Sequence, residues 1–173
     1  FLALSNHRDI IFDPAITQLV LYRNGIPLTE IAVGDNLISS PTIEYLLRSN
    51  RMIKVVRGIS ARELYLSSQM LSKYIRLNIT AQRSSIWLAQ RQGRTKNGYD
   101  KARELVISRK HKYVKAEGED LNSIIVGIKQ NKGDVHLNIG KPLTSEEIAQ
   151  AALCDKNDRY QLIRHAVDVR VIE

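Results

Sequence analysis

"EIAVGDNLISSPTIEYLLRSNRMIKVV", residues 30–56, carries the reading of the fold. "EIAVG", residues 30–34, is a short apolar run ending in glycine and reads as a strand. Pro41 opens a short helix over "PTIEYLLRSN", and "MIKVV" at 52–56 is a strand again. The same alternation extends outward. Upstream, "FLALS" at 1–5 reads as a buried strand and 6–12 as a loop. Asp13-Pro14 then predicts a helix start, with Asp13 as N-cap and Pro14 at the first helical position. That helix runs through "AITQLVLYRN" and stops at Gly25, with Pro27 beyond. Downstream, Ser60 with Glu63 forms a capping box that opens a helix reaching Thr80. Leu64, Leu71 and Tyr74–Ile75 are its expected apolar stripe, while Arg62, Lys73 and Arg76 stay wet. "SIWLAQ" at 85–90 is a fourth strand, with Trp87 expected in the core, followed by the polar loop "RQGRTKNG" and a helix over 99–107.

The second half is less regular. "SRKHKYVKAEGED", 108–120, has no period and reads as loop; "LNSIIVGIKQNKG" reads as helix. "DVHLNIGKPL", 134–143, alternates Val135, Leu137 and Ile139 as a strand does, with His136 turned the other way. Thr144 with Glu147 is a second capping box, opening "SEEIAQAAL", and a last amphipathic helix starts near Asp158. Strands alternating with helices, without repeats or flexible linkers, predict an α/β fold. The expectation is a single-domain sandwich over 1–173, with a central mostly parallel sheet flanked by helices. The period breaks at Ile107–Arg109, where residues are expected to be missing. Phe1 opens inside an apolar run, so an upstream segment that could hold an anchor or address is also expected.

Composition narrows the class. Hydrophobic residues at 43% and charged residues at 25% fit a globular chain with a real core. No apolar run approaches the roughly 20 residues of a membrane-spanning helix. The single Cys154 excludes an intrachain disulfide and agrees with a reducing compartment; it reads as a spectator. His7, His111, His136 and His165 are scattered, so no zinc site is expected. The net charge of +8 is uneven: Arg48–Lys115 holds 17 Lys and Arg against 3 Asp and Glu. A basic middle implies an anionic partner, whether a phosphorylated small molecule, an anionic membrane surface or nucleic acid. Aromatic residues are 6% and do not interleave with arginine, which argues against a single-strand platform. No recognisable nucleic-acid motif is present.

In a parallel sheet, sites gather on loops leaving the carboxyl ends of strands. His7 follows the first strand, Arg57 the third, and Gly93–Arg94 the fourth. A histidine in such a loop can keep one ring nitrogen free to take a proton, while a carboxylate on the other nitrogen fixes its tautomer. Asp9 and Asp13 are both within reach of that role on the residues alone. Asp13 also explains itself as a helix cap, and Asp9 as an Asx residue of the loop.

"SNHRDIIFDP", residues 5–14, resembles the His-Asp block of the glycerolipid acyltransferases, which include glycerol-3-phosphate and 1-acylglycerol-3-phosphate acyltransferases. "EIAVGDNLISSPTIEYLLRSNRMIKVVRG" is similar to that family's second stretch, closing on Arg57-Gly58. "SIWLAQRQGRTK" has the place and form of its strand–Glu-Gly-Thr-Arg-Ser block, and "VHLNIGKPL" of its closing strand–Gly-x-Pro segment. The resemblance covers 1–107 in order and resumes at 134–143. This sequence departs from the pattern in three places. Five residues separate His7 from Asp13 where the family has four, and Gln92 replaces an acidic residue, with Arg94 before Thr95 instead of after it. The family's fourth block, a strand with an embedded proline, is absent after 99–107.

The resemblance implies the family's fold and an O-acyltransferase of phospholipid biosynthesis at the cytoplasmic face of the membrane, peripheral or anchored. Acyl-CoA or acyl carrier protein would be the donor, with neither metal nor cofactor. A hydroxyl of glycerol phosphate or lysophosphatidate would be the acceptor. His7 and Asp13 are the implied catalytic pair, Asp13 favoured because Pro14 follows it. Arg57, Arg91, Gly93 and Arg94 are the implied acceptor-phosphate residues, with Lys54 and Lys96 in support, since a planar guanidinium matches phosphate by paired hydrogen bonds. The basic loop around His111 would meet lipid headgroups. Two alternatives stay open: the same chemistry on a lyso-aminolipid acceptor, and a non-catalytic basic domain that binds lipid or nucleic acid.

Overall fold

The computed structural model describes residues 1–38, 40–57, 60–89 and 119–172. The expected helix over 99–107, most of the expected loop 108–120, and Arg91, Gly93, Arg94, Lys96 and His111 lie outside the described residues. The chain divides into two compact units. The first comprises Phe1–Ser5, Asp9–Ala89 and Lys115–Asn131, the second Asn6–Arg8, Gln90–Val114 and Lys132–Glu173.

In the first unit, β1 (Leu2–Ser5), β2 (Glu30–Gly34), β3 (Met52–Val55) and β4 (Ile86–Ala89) form one sheet in the order β1-β4-β2-β3. Every pairing is parallel, and helices flank the sheet, so the α/β class and the parallel sheet hold. β4, last in sequence among these strands, inserts between β1 and β2. Trp87 stands opposite Ala3 on one side and Ile31 on the other. Ile31, Ile86 and Trp87 are buried together with Leu21 of the first helix, which places the core over the middle of the sheet.

The helices of this unit are α1 (Phe12–Arg23), α2 (Pro41–Ser49), α3 (Ala61–Thr80) and α4 (Glu119–Lys129). The Ser40 hydroxyl accepts from Ile43 N–H ahead of Pro41, and the Ser60–Glu63 capping box forms in both directions, as the sequence predicts. α1 closes with a Schellman motif: Gly25 takes a φ of +67°, Gly25 N–H donates to Tyr22 O, and Ile26 N–H donates to Leu21 O. α3 closes in the same way with Gln82, a non-glycine residue, at φ +52°. α1 is also tied to the strand beside it. The Gln18 side chain accepts from Thr29 N–H at 3.0 Å and donates to Thr29 Oγ1 at 2.6 Å, so the buried Thr29 is satisfied.

The start of α1 differs from the expectation. Ile11 is the N-cap position and makes no side-chain cap bond; Asp13 lies inside the first turn, not at the cap. Asp9 supplies the capping interaction instead, its Oδ1 accepting from Ile11 N–H and Phe12 N–H at 3.0 and 3.1 Å. Asp13 reaches back to accept from Asp9 N–H at 2.9 Å. An Asx turn upstream outcompetes the Asp-Pro signal because it satisfies two amide donors at once.

In the second unit, α5 (Ser145–Leu153) and α6 (Lys156–Ile172) pack together, and 131–144 form neither helix nor strand. The expected strand at 134–143 is therefore absent. Val135, Leu137 and Ile139 are exposed, and Gly140 lies against the backbone of Arg170. Period-two alternation makes a strand only where a sheet edge accepts it. The Thr144–Glu147 capping box forms, and Arg170 grips the Glu147 carboxylate at 2.8 and 2.9 Å. The Thr144 N–H, and then the Arg170 guanidinium, hold the Glu147 carboxyl below its ordinary 4.5. A lowered folded value contributes stability above the ordinary one and loses it as pH falls through the folded one. Wild type is thus expected to melt above Glu147→Gln near neutral pH, and the gap to narrow as pH falls below the ordinary 4.5. Circular-dichroism melts across that range check this; a gap that persists at low pH is the contrary result.

Candidate functional site at the carboxyl ends of the strands

Parallel register brings the carboxyl ends of all four strands to one edge of the sheet, the edge from which such sheets present ligand-binding loops. β2 and β3 end level, Gly34 opposite Val55. Past Gly34 the chain makes a single 3-10 turn, Asp35–Leu37; past Val55 it runs to Arg57. These two exits are joined. The Arg57 N–H donates to both carboxylate oxygens of Asp35, each at 3.1 Å.

The Arg57 side chain lies over Gly34. A Cβ built on Gly34 would come within 2.9 Å of Arg57 Cζ and 3.0 Å of Nε, and would also collide with Asn36 Oδ1. Those atoms are the far ends of two flexible side chains, which a larger residue at 34 would displace. Arg57 is half-buried, so its guanidinium is partly desolvated against backbone, the setting in which a charge-assisted bond to an anion gains most. The sequence marks Arg57 by its place after a strand. Asp35, which holds its backbone, has no such mark; its signal is "GD" directly closing a strand.

His7 is two residues past the end of β1, half-buried, in the segment Asn6–Arg8 that groups with the second unit. Asp13 is half-buried in the first turn of α1, where the positive end of the helix dipole favours a carboxylate. Asp9 has its Oδ1 occupied by two backbone donors. The Lys54 ammonium faces Glu44 of α2 at 3.9 Å. The Arg48 hydrogen bond, and then Lys54, hold the Glu44 carboxyl below its ordinary range. Trp87 is core, as expected. Cys154 caps α5, its Sγ 3.5 Å from Gln150 O, and His136 is exposed in the irregular segment.

At the opposite, amino-terminal edge, Glu30, Arg48, Arg51, Met52, Ile53 and Tyr74 line an open depression of about 290 Å³. There the Tyr74 hydroxyl donates to Glu30 at 2.6 Å and the Ser84 hydroxyl donates to its other oxygen at 2.8 Å. The hydrogen bond to Glu30, with some burial, pushes the Tyr74 phenol above its ordinary value. Among the described residues, no three His, Cys, Asp or Glu side chains group to hold a metal ion. No helix among them is long and apolar enough to cross a membrane. No family model, no curated protein and no solved structure matches the chain.

Proposed function

We propose that the chain is an acyltransferase of the glycerolipid type, with the fold of that family, moving an acyl group from a thioester to a hydroxyl of a phosphorylated glycerol or lysolipid. The observation that carries the reading is the order of the resembling segments along an all-parallel sheet. The His7 segment follows β1, the Arg57 segment follows β3, and "RQGRTK" follows β4. The seat of Arg57, its backbone held by Asp35 and its side chain lying over Gly34, supports its role toward an acceptor phosphate. Arg91, Gly93 and Arg94 are assigned the same role from the resemblance alone.

In this reading His7 takes the proton from the acceptor hydroxyl as its oxygen attacks the thioester carbonyl. The C–O bond forms, the C–S bond breaks, and the imidazolium returns the proton to the leaving thiolate. A thioester is already activated, so no covalent enzyme intermediate is required. Asp13, the carboxylate that the resemblance implies, is assigned to orient the imidazole. The donor is acyl-CoA or acyl carrier protein, and the enzyme works at the cytoplasmic face of the membrane.

The test is thiol release from an acyl thioester against a panel of acceptors. Release that depends on glycerol phosphate or lysophosphatidate is expected; none with any acceptor sinks the reading, and release with a lyso-aminolipid alone reassigns the acceptor. Arg57→Ala is expected to raise the KM for a phosphorylated acceptor about 10- to 100-fold, the size of a lost hydrogen bond to a charge. The KM for the thioester donor is expected to stay unchanged.

A further inference from the structure

α3 presents a surface that the described residues leave open. It is 20 residues long, and none of its side chains is buried. Leu71, Ile75 and Ile79, at spacings of four, form its half-buried row, and the Tyr74 hydroxyl ties it to Glu30 of β2. On a different face stand Leu66, Met70 and Leu77, at 52%, 74% and 52% exposure. Spacings of four and seven stack these three on one stripe of the helix.

Beside that stripe run Arg62, Lys73 and Arg76, all exposed and without an ion-pair partner among the described residues. The helix carries one acid, Glu63, and it is committed to the capping box with Ser60. The outward side of α3 thus combines an apolar stripe with an unneutralised basic row.

We infer that this side of α3 docks in the plane of an anionic lipid bilayer. A helix with an apolar stripe flanked by Lys and Arg sinks that stripe roughly 5–10 Å into the headgroup and acyl boundary. The long basic stems lie along the apolar surface and keep their charges among the phosphates. Phosphate of a nucleic-acid duplex would satisfy the cations and leave Leu66, Met70 and Leu77 facing water. A bilayer answers both features at once. The inference does not depend on acyl transfer, because vesicle binding is measured without turnover.

The experiment is co-sedimentation of the full chain with phosphatidylglycerol-containing and with pure phosphatidylcholine vesicles. Wild type is expected to bind the anionic vesicles, and to release as salt rises from about 0.15 to 1 M, where screening shortens to roughly 3 Å. Arg62→Gln/Lys73→Gln/Arg76→Gln is expected to lower anionic partitioning on the order of 100-fold, about fivefold per cation. Leu66→Gln/Met70→Gln keeps every charge and is expected to cost at least tenfold, a loss that a purely electrostatic contact would not suffer. Circular dichroism verifies that both variants remain folded. Equal partitioning of wild type and either variant overturns the inference, as does wild-type binding to neutral vesicles only. A gel shift with random duplex that the triple variant abolishes, alongside unchanged vesicle binding, overturns it in favour of nucleic acid.

Discussion

His7→Ala is expected to lower acceptor-dependent thiol release by on the order of 10³, within the range that a positioned general base contributes. The loss should fall on kcat, with the KM for the thioester donor unchanged, because the imidazole acts on the hydroxyl proton and not on donor binding. His7 is half-buried in a short segment after β1, outside every helix and strand, and circular dichroism is expected to show the variant folded. Asp13→Asn should cost less than His7→Ala, since it disturbs the orientation of the base and leaves the base in place. A His7→Ala protein that transfers acyl chains at the wild-type rate removes the proposed chemistry, whatever the acceptor.

Trp87→Ala carries the second large effect, on stability. The indole is 3% exposed on the central strand β4, level with Ala3 of β1 and Ile31 of β2, and its neighbour Ile86 is 0% exposed. Truncating a buried tryptophan costs about 3–5 kcal/mol through lost burial and the cavity left behind. Domains of this size hold roughly 5–15 kcal/mol in total, so the loss takes between about a fifth and all of the stability. Urea titration followed by circular dichroism reads this directly, since the substitution removes the chain's one tryptophan fluorophore. A midpoint within about 0.5 kcal/mol of wild type would mean that the indole is not part of the core.

Much of the secondary structure was legible because its signals are local. Ser60–Glu63 and Thr144–Glu147 each satisfy donors within one helical turn, so their spacing alone reports them. Ser40-Pro41 and Gly25 are punctuation of the same kind. What depends on distant partners was not legible. Nothing in "SIWLA" says that β4 enters between β1 and β2, and that placement is what makes Trp87 central. "DVHLNI" has the period of a strand, yet 131–144 form neither helix nor strand. On α3 the periodicity located an apolar stripe correctly at Leu71 and Ile75. Leu64 and Tyr74, expected in the same stripe, are exposed, because how far each position is covered depends on where the rest of the unit lies. The candidate site divides in the same way. Arg57 is visible as an arginine after a strand, whereas its brace at Asp35 is a contact across 22 residues of chain.

The clasp between Gln18 and Thr29 reaches further than the core it completes. One carboxamide holds both the amide and the hydroxyl of a buried residue at the foot of β2, so α1 can neither spin about its own axis nor slide along it without breaking both bonds. Asp13 rides on the same rigid rod, a little over one turn away, and its azimuth is keyed by that clasp. The direction of a carboxylate in the first turn is thus set by an uncharged side chain that never meets it.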